Sequence, residues 1–194
     1  MNRRFAVPGP LHDVLGRTQT PAELGTVLLV AAGLSTVLCL EGAAVLSALP
    51  WWRALLAVLL VVDVAAGCVA NFTTGTDAHY ARRPTSRWVF ILVHWHLVLL
   101  GALLGLELAP LLLLTAGTLL AAAAVTLLRD HRLHVTAGGA LTAVGVVAVV
   151  LWLPASTPSF VVATAALFVV KVVLAFAVTH HDRGEAPSGP QDAW

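Results

Sequence analysis

Long apolar runs alternate with short polar interruptions along this chain. Runs of Leu, Val and Ala extend over about 21–49, 52–72, 88–108, 111–128, 134–153 and 158–179. Each reaches the roughly 17–25 residues that an α-helix needs to cross a bilayer. The pattern predicts an all-α fold: a bundle of six transmembrane helices within 21–181, after an N-terminal segment 1–20 and before a polar tail 182–194. The first helix opens on "TPAE", where Thr20 can cap, Pro21 can occupy the first turn and Glu23 can complete a capping box. Nothing ahead of Pro8 and Pro10 forms the apolar core of a signal peptide, so the first run is expected to be retained as a span. The tail "DRGEAPSGPQDAW" has too few apolar groups to order itself.

Composition agrees with a bilayer as the solvent. Of 194 residues, 59% are hydrophobic and only 11% charged, with mean hydropathy +0.90. A water-soluble domain carries about a quarter charged residues. The net charge of +1 leaves no footprint for nucleic acid. Cys39 and Cys68 fall in different runs at opposite expected depths, which disfavours a disulfide.

Basic residues orient the spans. Arg3, Arg4, Arg17, Arg82, Arg83, Arg87, Arg129, Arg132 and Arg183 fall on one side, and only Arg53 on the other. The positive-inside rule then places both termini in the cytoplasm. The expected outer loops, "LPWW", "ELAP" and "PASTP", are too short to form a domain. A "NFT" sequon at Asn71 lies on the cytoplasmic side and reads as a chance match. The Ala-, Val- and Leu-rich composition suggests a bacterial plasma membrane.

Ionisable residues inside the apolar runs are the first candidates for chemistry, because charge at bilayer depth is costly and normally faces the bundle interior. Asp63, His94, His96 and Lys171 come from three spans. At 1.5 Å per residue they lie about 9–13 Å from the cytoplasmic ends of their helices. Glu41 lies in the outer half, apart from them and without an obvious partner. On a continuous third helix, His94, Val98, Gly101 and Gly105 form one stripe, and His96 points roughly 160° away. That phase assigns His94 to the interface and leaves His96 aside. Gly101 and Gly105 form a GxxxG surface suited to helix association or oligomerisation. Asp63, Gly67 and Asn71 share a face of the second span. The expected site is Asp63 and His94 as an acid–base pair, with Lys171 tuning the acid.

The stretch after Phe72 is the most polar in the chain. Asn71, Thr73, Thr74, Asp77, Tyr80 and Arg87 are the expected substrate-binding residues, with "TTGTD" as a structured turn. Short hydroxyl and amide groups beside Arg82, Arg83 and Arg87 suit an anionic group. A metal would have to draw on His94, His96, His131, His134, His180 and His181. "HRLH", "HWH" and "THH" are not the longer, more numerous histidine boxes of membrane di-iron hydroxylases and desaturases. Neither haem nor retinal is singled out by spacing. No cofactor or metal is expected.

These features give two functional classes. One is a membrane-embedded enzyme acting on a lipidic or small-molecule substrate from the cytoplasmic leaflet. The other is a proton-coupled carrier or channel built on Asp63 and Lys171. A structural or accessory subunit is the bland alternative.

Overall fold

The computed structural model describes residues 4–9, 12–81 and 83–180. Arg3, Arg82, His181, Arg183 and the 182–194 tail lie outside the described residues. Six helical stretches are long and apolar enough to cross a membrane: Pro21–Glu41, Trp51–Ala70, Thr85–Leu104, Leu108–Leu127, His134–Trp152 and Ser159–Phe176.

Before the first of them, residues 4–20 fold back on themselves. Strands β1 (Phe5–Ala6) and β2 (Thr18–Gln19) pair antiparallel, with the single turn α1 (His12–Leu15) between them. Among the described residues this two-residue ladder is the departure from an all-helical fold. Then come α2 (Pro21–Glu41), the short α3 (Ala43–Ser47) and α4 (Trp51–Ala70). The capping box at the start of α2 is complete: Thr20 Oγ1 accepts from the Glu23 amide, and Glu23 reaches back to the Thr20 amide. The run expected as one helix over 21–49 is interrupted at Gly42, where the Phe160 ring fills the space a Cβ would occupy.

The polar stretch after α4 forms an eight-residue helix, α5 (Thr74–Ala81), rather than a turn. The third span is two helices, α6 (Pro84–Val93) and α7 (His96–Leu104), separated at His94 and Trp95. α7 stops at Gly105, which is left-handed with φ 72°. Of the GxxxG pair, Gly101 is covered from within the chain by Leu111, and Gly105 is this helix cap. Then follow α8 (Leu108–Leu127), α9 (His134–Trp152) and α10 (Ser159–Val169). α10 continues without a break as a π-helical stretch, Val170–Phe176.

The last span is the axis of the bundle. Over Ser159–Phe176, 61% of the residues are buried, against 17–39% for the other five. α2, α4, α7, α8 and α9 all pack on α10 or on its π-helical continuation. Van der Waals fit holds such an interface when lipid is as apolar as the side chains. Gly138 and Gly145 of α9 admit Val178 and Val169, each so near that an added methyl would collide. Phe168, Val172, Val173 and Ala177 are fully enclosed. The described arginines other than Arg53 fall at the end that also holds the N-terminal segment, α5 and the 128–133 turn, whereas Arg53 lies at the opposite end.

Candidate functional site

The central position of the last span explains why a lysine within it must find a partner. Lys171 is 2% exposed. Its stem lies across Gly67 of α4, where a Cβ would fall 2.3 Å from Cε. This close approach lets Nζ reach one turn further and donate to Asp63 Oδ2 at 2.5 Å and to the Asp63 carbonyl at 3.2 Å. On the other side of Gly67, Asn71 Nδ2 donates to the Lys171 carbonyl at 3.4 Å. The i, i+4, i+8 face of α4 thus grips one residue of the last span at both ends.

The same carboxylate oxygen holds a histidine. His96 Nε2 lies 3.2 Å from Asp63 Oδ2. Counting along a continuous helix places His94 at the interface, where it is buried and lines the cavity, and the break at His94–Trp95 brings His96 to Asp63 as well. His94 has ψ 64°, outside the helical range, so α7 starts in a new rotational register. Both imidazoles are brought together, with ring centroids 4.7 Å apart. No proline or glycine causes the break. Its freed carbonyls are taken by the residues that make it: His94 Nδ1 donates to the Phe90 carbonyl and Trp95 Nε1 to the Leu92 carbonyl at 2.8 Å. Since a carbonyl only accepts, His94 carries its proton on Nδ1 in its neutral form, and Nε2 is left as a proton acceptor. The His94 ring is stacked on Phe90, which is stacked in turn on Phe176.

These groups line a cavity of about 420 Å³. Asp63, Gly67 and Asn71 form one wall, and Thr85, Ser86, Val89, Phe90, Val93 and His94 the facing one, with His96 and Lys171 between them. Tyr80 and Val14 line it as well, Val14 from the N-terminal segment. α7 packs firmly on α4, whereas α6 is not among the elements that do. The cavity occupies that gap. Val89 and Val93, on its α6 side, are more than half exposed, and the Asp63 side chain is 43% exposed.

Of the expected substrate-binding residues, Asn71 and Tyr80 line the cavity, and Thr73, Thr74, Asp77 and Arg87 do not. Thr73 bonds to Gln19, Thr76 and the Ala70 carbonyl. Thr74 gives its amide and hydroxyl to Glu23. Asp77 accepts from the His180 amide. Arg87 is buried against the Ala177 carbonyl and the Phe176 ring. Glu41, expected to lack a partner, accepts from Ser159 Oγ at 2.6 Å. Cys39 and Cys68 are free thiols.

His131, His134 and His180 do not line the cavity. His134 donates from Nδ1 to the Val125 carbonyl and accepts at Nε2 from the Thr179 amide, so neither nitrogen is open to a metal. His180 Nε2 donates to the Leu174 carbonyl, and His131 Nδ1 accepts from the Leu133 amide. Among the described residues, no three His, Cys, Asp or Glu side chains converge as a metal-binding set. Sequence reasoning left the role of His96 uncertain and passed over Thr85, Ser86 and Val14. Only His96 had a signal, its place at the same depth as Asp63.

Comparison of the chain with protein-family models, curated proteins and solved structures finds no match.

Proposed function

We propose that the chain is a polytopic membrane enzyme that performs acid–base chemistry on an amphiphilic, lipidic substrate, with both termini in the cytoplasm of a bacterial plasma membrane. The observation that carries this reading is the gap between α4 and α6, which has a polar floor and an apolar rim. A substrate entering there sets its polar group against Asp63, His96, His94 and Lys171 and its chain along Val89 and Val93. Asp63 accepts from Lys171 and fixes the His96 ring, the arrangement by which an orienting carboxylate readies an imidazole for proton transfer. His94 Nε2 is the second acceptor at the same depth. Asn71, Tyr80 and Ser86 supply hydrogen bonds for the polar group.

Lipid extracts of cells with and without the chain test this reading. A discrete species should appear or disappear with the wild type and be unchanged with Asp63→Asn or His96→Gln. Identical extracts from wild type and empty vector would refute it.

A proton-coupled carrier is the second reading, favoured by the broken third span and the π-helical stretch at one depth. Interrupted helices near the middle of a bundle are a feature of transporters. In sealed vesicles a carrier moves protons with its solute and loses that flux in Asp63→Asn. Cysteines at Thr85 and Ser86, in a background lacking Cys39 and Cys68, separate the two readings. The enzyme presents them to a water-soluble reagent from the cytoplasmic side only, and a carrier alternates.

A further inference from the structure

A second cavity lies at the arginine-rich end, on the other side of α5 from the first. α5 turns Tyr80 toward the acid–base cavity, and Gly75, Ala78 and His79 toward this one. The rest of its wall is Arg4, Arg17, Thr18 and Arg83, around about 360 Å³. The three arginines come from three separate places in the chain: before β1, before β2 and between α5 and α6. The fold of the N-terminal segment brings them together. Gly75 approaches the Thr18 carbonyl so closely that a Cβ there would stand 2.0 Å from it, and Gly16, at φ 70°, sits against the Gly75 carbonyl. Gln19 Nε2 bonds to Thr73, and Arg4 Nη2 donates to Thr74 Oγ1 at 2.9 Å.

Among the described residues, no carboxylate lines this cavity. Glu23 shares Thr74 with Arg4, but its oxygens are engaged by the amides and hydroxyls of Thr20 and Thr74. Arginines that only set topology need to be on one side of the membrane, with no requirement to face one another. Here three guanidinium groups surround a hollow beside α5. Guanidinium forks match the oxygens of a phosphate group, each able to donate two parallel hydrogen bonds.

We propose that this cavity binds a phosphate group, carried either by a membrane lipid headgroup or by a water-soluble phosphate compound. The site does not depend on the acid–base reading, since it shares none of that cavity's lining. Arg17 and Arg83 hold the anion, and Arg4 closes it from the N-terminal side while anchored on Thr74.

The test uses the full chain in a nonionic detergent, with native mass spectrometry and thermal-shift titration as readouts. The probes are dioctanoyl phosphatidic acid, dioctanoyl phosphatidylcholine and inorganic pyrophosphate. Saturable binding of phosphatidic acid is expected, weakened at least tenfold in Arg17→Gln/Arg83→Gln and less than twofold in Arg132→Gln or Arg53→Gln. Raised ionic strength should weaken it as well. Competition by pyrophosphate identifies a water-soluble phosphate as sufficient. Binding of phosphatidic acid without such competition identifies the headgroup in its lipid setting. If the double variant fails to fold, Arg83→Gln alone, a change at an exposed side chain, should weaken binding at least threefold. Absence of saturable binding by either phosphate probe overturns the proposal, and so does equal weakening in Arg132→Gln.

Discussion

At the scale of residues, the pair of Asp63 and Lys171 is unequal. The lysine side chain is 3% exposed and the aspartate 43%. Removing the carboxylate strands an ammonium group in the bundle axis, whereas removing the lysine leaves a carboxylate that water can reach through the cavity. Asp63→Asn should therefore cost about 3 kcal/mol, in the range for breaking a buried pair. Lys171→Met should cost about 1 kcal/mol, since a partly exposed charge is largely screened. Thermal unfolding in one detergent gives both values, and the double variant should recover much of the larger loss. Additive losses would mean that the two groups do not interact. Gly67→Ala is the companion change. Its methyl meets the lysine stem, so Nζ must leave Asp63, and a loss of about 1–3 kcal/mol is expected, as for overpacking a tight interface. Gly67→Ala should also abolish whatever activity Lys171→Met abolishes. The face formed by Asp63, Gly67 and Asn71 was legible in the sequence because α4 is regular and its cap, Asn71, keeps helical dihedrals, so counting by fours finds its neighbours.

Among elements, that counting failed where regular geometry failed. The third span looks continuous in sequence: "FILVHWHLVLL" contains no proline or glycine. The break is made by side chains that replace backbone amides as donors to the Phe90 and Leu92 carbonyls, a substitution that apolar periodicity does not register. Its consequence is that His96 faces the cavity as well as His94, and reaches Asp63. His94→Leu should leave the Phe90 carbonyl without its donor, costing about 1–3 kcal/mol for an unsatisfied buried acceptor. It should also loosen His96 from Asp63, seen as a shift of the His96 imidazole resonances in a spectrum of the labelled protein. An unchanged His96 environment would show that the break is held by other contacts. The π-helical stretch was equally invisible, since one residue added to the hydrogen-bond ladder has no signature in an all-apolar run. The folding of residues 4–20 escaped notice for another reason. Its contacts are long-range, such as Gln19 to Thr73, and no local pattern announces them.

For the whole molecule, the arginine asymmetry makes a prediction of orientation. Reporter fusions after positions 80 and 130 should both report the cytoplasm, and one after Arg53 the opposite side; any inversion reverses the proposed entry of substrate. The apolar runs were enough to read six spans from the sequence, but not which of them forms the axis, because hydropathy reports how apolar a span is and not whether protein or lipid surrounds it. That axis has a bearing on how the protein is made. The most enclosed span is also the last of the six to leave the ribosome, as domains emerge N-terminal part first. Until it arrives, α2, α4, α7, α8 and α9 surround no centre and Asp63 has no ammonium partner. Biogenesis must therefore pass through a five-span intermediate that membrane quality control can recognise. A chain stopped at Pro154 should be degraded rapidly in cells. Co-expression of a separate piece beginning at Ser156 should restore its lifetime, but not when that piece carries Lys171→Met.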